Sequence, residues 1–311
     1  MKPSPFTYHR PRSVDETLAV LAECGDDGKV LAGGQSLVPL MSMRLAAPAH
    51  LVDINQLGEL DTVEVEDGQV RVGALARHST VERDAAAYDA APLLRQALVN
   101  VAHPTIRNRG TTVGSLVHAD PASEMPAVLC LLDGVMELAS TTGTREVAAD
   151  DFFVGPMESA LRPGELAVAA RFTCPPARSG SAFVEVARRH GDYAVCGVGA
   201  VVTVDADNAL VTGRVAVINV GLRPVRIDVT EAITGAITGA VTGASTGAIT
   251  GATGSGDGLD EDALRALVDA AIDPEADIHA SAEYRRHLAH VLTRRALDQA
   301  SMRAVSPAVS Q

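Results

Sequence analysis

Lys29-Val30-Leu31-Ala32-Gly33-Gly34-Gln35-Ser36-Leu37 is the stretch on which the fold turns. Residues 29–32 read as a short strand. The paired glycines end it, and Ser36 stands where a short helix over residues 37–44 begins. A strand, a glycine turn and a helix in that order let backbone amides approach a ligand without a Cβ in the way. The helix start adds a dipole favourable to a phosphate, and Gln35 and Ser36 add side-chain hydrogen bonds. The spacing is not the G-x-G-x-x-G of a dinucleotide fingerprint. By itself such a turn is as often structural as ligand-binding.

Working outward, residues 13–24 form a first helix, with Ser13 and Glu16 as a capping box and Gly25 as the stop. Residues 50–54 form the next strand, so the opening 56 residues make a compact α/β unit. Two alternating runs around Asp67-Gly68 predict a hairpin. Helices follow over residues 79–84 and 92–101. Pro121 opens another that runs to residue 132, with Asp120 as its cap, and residues 135–147 predict a second hairpin. Strands over 182–187, 195–204 and 210–220 then precede helices over 259–271 and 282–302, the last striped by Tyr284, Leu288, Val291 and Leu292. The division expected is 1–56, 57–176 and 177–302, with a tail at 303–311. The T-G-A repeat within 230–258 reads as an inserted low-complexity loop.

A second glycine-bearing loop lies at Ile106-Arg107-Asn108-Arg109-Gly110-Thr111-Thr112-Val113-Gly114-Ser115. Arg107 and Arg109 suit phosphates, or equally brace the loop on neighbouring carboxylates. His118 and Asp120 follow, but two ligands without a third at suitable spacing do not make a metal site. No nucleophile elbow or P-loop occurs. Two phosphate-friendly loops without an evident acid–base pair fit a cofactor holder better than a hydrolase.

Composition narrows the classes further. The net charge of -13 and the 3% aromatic content disfavour nucleic acid as a partner. No stretch is apolar enough to span a membrane, and residues 1–13 lack the apolar run of a signal peptide, so a cytoplasmic location is expected. Cys24, Cys130, Cys174 and Cys196 are too widely spaced for an iron–sulfur or zinc motif. Cys24 and Cys130 read as core thiols, and no metal is expected in this chain.

At these residues the chain resembles the FAD-binding medium subunits of molybdenum hydroxylases, the family of the carbon monoxide dehydrogenase medium subunit and the xanthine dehydrogenase FAD-binding subunit. The strings that carry the resemblance are LAGGQSLVPLMSMR at 31–44, LVDINQLGEL at 51–60, VRVGALARHSTVE at 70–82, HPTIRNRGTTVGSLVHADPASEMPAVL at 103–129 and DFFVGPMESALRPGELA at 151–167. ARRHGDYAVCGV at 187–198 and ADIHASAEYRRHLAHVLTRRAL at 276–297 add to it.

The resemblance implies an α+β fold. Two α/β subdomains of the PCMH or vanillyl-alcohol-oxidase type hold FAD, and a C-terminal α+β domain with an antiparallel sheet and helices follows. It implies flavin contacts from residues 29–37 on one side and from Thr111, Thr112, Val113, Gly114 and Ser115 on the other. Glu124, Leu161 and Tyr193 are further contacts, and no catalytic residue is implied here. The implied partners are a large molybdenum-cofactor subunit and a small subunit with 2Fe–2S clusters, as a dimer of heterotrimers. Electrons reach FAD from those clusters and leave to an external acceptor. Val113 occupies a slot where relatives carry glycine, which implies strain if that slot needs positive φ. Glu185 stands where relatives often carry lysine. The arginines at 285, 286, 294 and 295 form a candidate docking face, with a merely solvated face as the commoner meaning. The competing readings are a free-standing FAD-dependent oxidoreductase and a scaffold whose flavin site has decayed.

Overall fold

The computed structural model describes residues 2–234 and 260–306. Beyond Thr234, the T-G-A repeat lies outside the described residues. Met1–Asp120 with Asp133–Cys174 form one compact unit, and Pro121–Leu132 with Pro175–Gln311 form a second. The segment at 121–132, which the sequence places with the second subdomain, thus belongs to the C-terminal unit.

The N-terminal unit opens with β1 (Thr7–His9), α1 (Val14–Cys24), β2 (Gly28–Leu31), α2 (Leu37–Met43) and β3 (His50–Asp53). The strands form a parallel sheet in the order β1-β3-β2, because each helix carries the chain back to the end of the sheet where the strands begin. Ser13 caps α1 by accepting a bond from Glu16 N, and the Glu16 carboxylate accepts one from Arg12 N at 2.7 Å. The capping box is therefore formed, with its return bond one residue upstream. Ser36 occupies the N-cap of α2, but its side chain makes no capping bond because its backbone is already helical.

A five-stranded antiparallel sheet follows in the order β4-β5-β10-β6-β7. Its strands are β4 (Val63–Glu66), β5 (Gln69–Gly73), β6 (Val135–Ser140), β7 (Gly143–Ala148) and β10 (Leu166–Thr173). Both expected hairpins are present. Asp67 and Gly68 have φ of 50° and 73°, the left-handed pair that a two-residue turn of this hand requires. The central strand, β10, was not foreseen, since its alanines give weak β signal.

Helices α3 (His78–Arg83), α4 (Ala85–Ala90), α5 (Pro92–Leu98), α6 (Pro104–Arg107) and α7 (Thr112–His118) lie between β5 and β6 in sequence. The short α9 (Ala149–Phe152), β8 (Phe153–Gly155) and β9 (Glu158–Ser159) precede β10. Phe152 and Phe172 are fully buried in this unit.

In the C-terminal unit, α8 (Glu124–Leu131) is buried on every side, as its sequence, apolar after Glu124, demands. It starts three residues later than the sequence suggests. Ser123, not Asp120, holds its N-cap position. The sheet β11 (Ser179–Ala187), β12 (Ala194–Val204), β13 (Leu210–Ile218) and β14 (Val225–Asp228) is antiparallel in sequence order. Helices α10 (Thr230–Thr234), α11 (Glu261–Ala271) and α12 (Ala282–Val305) complete it.

Two of these helices depart from the boundaries expected. α10 occupies the start of the segment expected as loop, and α12 continues past residue 302. Leu288, Leu292, Ala296 and Ala300 form the buried face of α12, whereas Tyr284 and Val291 are exposed. The small side chains let α12 close on the sheet: a Cβ on Gly180 would lie 2.0 Å from the carbonyl oxygen of Ala300.

Three of the four arginines proposed as a docking face are engaged within this unit. Arg285 is buried and pairs with Asp277 at 2.6 Å, Arg286 pairs with Asp269, and Arg294 with Asp298 and Glu261. Those pairs supply a partner within the unit for each of the three charges. Among the described residues no helix is long and apolar enough to cross a membrane.

Candidate functional site

The end of β2 runs directly into the glycine turn. Gly34 has a φ of 71°, the left-handed conformation that glycine adopts without penalty. Gly33 serves a different need. A Cβ there would lie 2.4 Å from the Arg109 carbonyl oxygen and 2.7 Å from the Gly110 Cα. The two glycine loops therefore touch backbone to backbone, and no side chain fits between them.

Polar side chains hold this contact in place. Arg77 donates from Nη1 to the Arg109 carbonyl at 2.6 Å and from Nη2 to Asn55 Oδ1 at 2.7 Å. Asn55 in turn donates from Nδ2 to the Ala32 carbonyl at 2.9 Å. Gln35 folds back, its Nε2 donating to the Gly33 carbonyl at 2.9 Å. One chain of hydrogen bonds thus runs from the first loop through Asn55 and Arg77 to the second.

Asp53 anchors this chain at its base, accepting from Tyr8 Oη at 2.5 Å and from Asn55 N at 2.9 Å. Burial alone would raise the Asp53 carboxyl, but the bonds from Tyr8 and Asn55 outweigh it and hold the group below the usual carboxylate range. Asp53 is an ionised brace with its oxygens occupied, and so a poor proton acceptor.

Around this contact lies a cleft of about 690 Å³. Its lining takes Leu31, Ala32, Gly33, Gly34 and Gln35 from the first loop and Asn108 and Arg109 from the second, together with Val38, Pro39, Asp53, Asn55 and Arg77. Its size lies within the range of cofactor clefts. The Arg77 guanidinium, the exposed Arg109 and a glycine backbone free of Cβ atoms suit a pyrophosphate, and the apolar Leu31, Val38 and Pro39 suit a flat ring or an aliphatic chain.

The second loop continues behind this lining. Thr111, Thr112 and Val113 are buried, and Gly114 and Ser115 half-buried. Thr111 caps α7, its Oγ1 accepting from Gly114 N at 3.1 Å. A Cβ on Gly114 would sit 2.5 Å from that oxygen, which accounts for the glycine. Val113 lies inside α7, 2% exposed, and is not among the residues with positive φ. The expected strain is absent. This position is an ordinary helical one that fills the core.

His78 supports the loop from beneath. Its backbone N donates to the Gly110 carbonyl at 2.9 Å, and its Nδ1 lies 3.2 Å from Thr112 Oγ1. Burial, joined by the charge of Arg107, pushes His78 down to about 4, so the ring is neutral. Arg107 does not reach for a ligand. It pairs with Glu82 at 2.8 Å and donates to the carbonyls of Val101 and Ala102, the bracing alternative.

The remaining expected residues are spread more widely. Lys29 is exposed on β2, and Val30, Ser36 and Leu37 are half-buried beside the turn. Leu161 is half-buried in the loop after β9, within the N-terminal unit. Glu124 and Tyr193 belong to the C-terminal unit, Glu124 buried at the start of α8 and Tyr193 64% exposed before β12. Glu185, on β11, is pushed up to about 7 by burial, and its Oε2 has no hydrogen-bond partner among the described residues. Asn55, Arg77 and His78 were missed as functional residues. They lie within the strings that carry the family resemblance, but nothing in their local spacing shows that they meet the loops.

Residues 4–172 match the family described as the FAD binding domain in molybdopterin dehydrogenase, and residues 181–300 match the CO dehydrogenase flavoprotein C-terminal domain. The chain belongs to this family of FAD-binding subunits of molybdenum hydroxylases, which are oxidoreductase components. It is 36% identical to the 6-hydroxypseudooxynicotine dehydrogenase complex subunit alpha of Paenarthrobacter nicotinovorans, over 98% of this chain and 97% of that one. It is 35% identical to the carbon monoxide dehydrogenase medium chain of Afipia carboxidovorans, over 98% and 99% of the two chains. A solved Cu,Mo-CO dehydrogenase contains a chain that superposes with a TM-score of 0.85 at 34% identity, covering 97% of this chain and 100% of that one. The α+β class expected from sequence is thereby established, as is FAD as the cofactor of this chain.

Two outcomes follow from this geometry. Val113→Gly removes a buried side chain and adds a helix penalty, so denaturant unfolding will show a loss of about 2–4 kcal/mol without tighter FAD binding. A lower FAD dissociation constant in that variant would reinstate strain. For His78 the folded value lies below the unfolded one. Its contribution, roughly 3 kcal/mol, is fully present above about pH 6.5 and disappears as pH falls towards 4. His78→Gln will flatten the stability profile across that window, and an unchanged slope contradicts the assignment.

Proposed function

We propose that this chain is the electron-relay subunit of a molybdenum hydroxylase, holding FAD in the cleft at Gly33 and Gly34. The observation that carries this reading is the side-chain-free contact between the two glycine loops beside Arg77 and Arg109. Backbone amides of residues 32–36 and the two guanidinium groups bind the pyrophosphate, with residues 111–115 supplying the other side. The apolar lining excludes water from one wall of the cleft. Asp53 keeps Asn55 and Arg77 oriented and takes no proton.

FAD, once bound, supplies redox chemistry that side chains cannot, and the protein contributes binding, orientation and tuning. In this reading, electrons arrive from 2Fe–2S clusters of a small partner subunit and leave to an external acceptor. Substrate is oxidised on a large molybdenum-cofactor subunit, in a cytoplasmic dimer of heterotrimers. The named subunits among the relatives support a multi-subunit assembly. Leu161 is a further flavin contact in this reading. The proposed cradle itself rests on residues of the N-terminal unit, without Glu124 or Tyr193. The decayed-scaffold alternative rested on strain at Val113 and loses its basis.

The test is to co-express the chain with its two neighbour subunits and measure acid-released flavin across gel filtration. One FAD per chain, co-eluting with iron–sulfur absorbance, is expected. Flavin on a chain that never associates with partners would favour the free-standing oxidoreductase. Arg77→Met removes a charge-assisted contact of about 1.5–3 kcal/mol and will weaken FAD binding by roughly ten- to a hundredfold. Gly33→Val will abolish retention. Full flavin occupancy in Gly33→Val would place FAD elsewhere.

A further inference from the structure

Three potential metal ligands converge in the N-terminal unit from three separate elements. His9 ends β1, Cys24 ends α1 and His50 begins β3. His9 Nε2 lies 2.9 Å from His50 Nδ1, with the ring centroids 5.2 Å apart. One ligand atom from each ring and Cys24 Sγ all fall within 4.8 Å of one another. Cys24 is thus not the core thiol expected from its helical pattern. It is half-buried, as are both histidines.

The register of the sheet explains the convergence. Gly28 of β2 and Thr7 of β1 both pair with His50, one on each side of β3. A Cβ on Gly28 would lie 2.9 Å from the Cys24 Cβ. Glycine at that position makes room for the end of α1 to bring its thiol against the strand that carries His50.

We propose that His9, Cys24 and His50 form a binding site for a zinc-type transition-metal cation, with a fourth position left to solvent. One thiol and two imidazoles select a borderline-soft ion and not magnesium or calcium, which prefer oxygen. Around a tetrahedral zinc, ligand atoms sit roughly 3.3–3.6 Å apart. The imidazole pair is slightly tighter than that, so a small opening of the rings admits the ion. On binding, Cys24 releases its thiol proton to solvent as the sulfur–metal bond forms, and both imidazoles bind as neutral rings. No electron transfer is involved. The acidic residues Glu23, Asp26 and Asp27 beside Cys24 add a field favourable to a cation. The ion would tie the end of α1 to β1 and β3, in the sheet whose β2 leads into the Gly33 turn. No short spacing motif announces the site, because its ligands come from distant segments.

The experiment uses the full flavin-containing chain, stripped with a chelator and equilibrated with Zn²⁺ in a buffered metal series. Bound metal is counted by mass spectrometry. Co²⁺ is titrated in parallel, with difference spectra recorded to the red of the flavin bands and in the near ultraviolet. One zinc per chain is expected, together with tetrahedral cobalt bands and a thiolate charge-transfer band. Cys24→Ser will lose the thiolate band and weaken zinc binding at least about tenfold, since losing a ligand costs no less than losing its outer-shell support. His50→Gln, with flavin content as the folding control, will also weaken it. No stoichiometric zinc in the unsubstituted chain, or zinc unaffected by both substitutions, overturns the site and leaves only a hydrogen-bonded histidine pair.

Discussion

The structure of the N-terminal unit depends on one steric constraint: the backbone of Gly33 rests on the backbone of Arg109 and Gly110, and a single methyl group would prevent it. The parallel sheet has to deliver the first loop at the end of β2, and α6 and α7 have to deliver the second. Both must arrive within van der Waals contact. At the contact itself there is only backbone, with no side chain to make up for a misplaced one. Accuracy therefore comes from what lies behind them, namely the Asp53–Asn55–Arg77 chain and the buried His78.

Electrostatics follows from the same arrangement. Arg77 spends two donors on the protein itself, which fixes its guanidinium before any ligand arrives. A preorganised charge loses less freedom on binding an anion than a mobile one. Asp53 stays ionised because hydrogen bonds offset its burial, and His78 stays neutral because burial is not offset. The site thus combines fixed positive charge with a neutral support, as suits holding a phosphate-bearing cofactor and not shuttling protons.

Much of this was legible in the sequence, and the limits are physical. The Gly33-Gly34 turn, the Asp67-Gly68 hairpin and the strand-then-helix order of the C-terminal unit are local patterns, and the structure has all three. Long motifs in the right order gave the family. Three features were not fixed by pattern, which sets neither where a cap falls nor which distant groups meet. Whether Val113 sits at a strained glycine site or in a helix depends on where Thr111 caps. That Arg107 braces while Arg109 lines the cleft depends on the distant Glu82. The meeting of His9, Cys24 and His50 depends on strand register. Alanine-rich β10 escaped because burial and not propensity makes it a strand. The arginines of α12 read as a surface because their partners in α11 and before α12 are likewise invisible to local pattern.

In the proposed function, both glycine loops of the N-terminal unit hold FAD. Amide hydrogen exchange, compared between the flavin-loaded and flavin-free chain, tests it most directly. Slowed exchange is expected, concentrated at residues 32–36 and 109–115, with the start of β2 and the end of α7 little changed. Equal exchange in both loops, or protection confined to other segments, would contradict it.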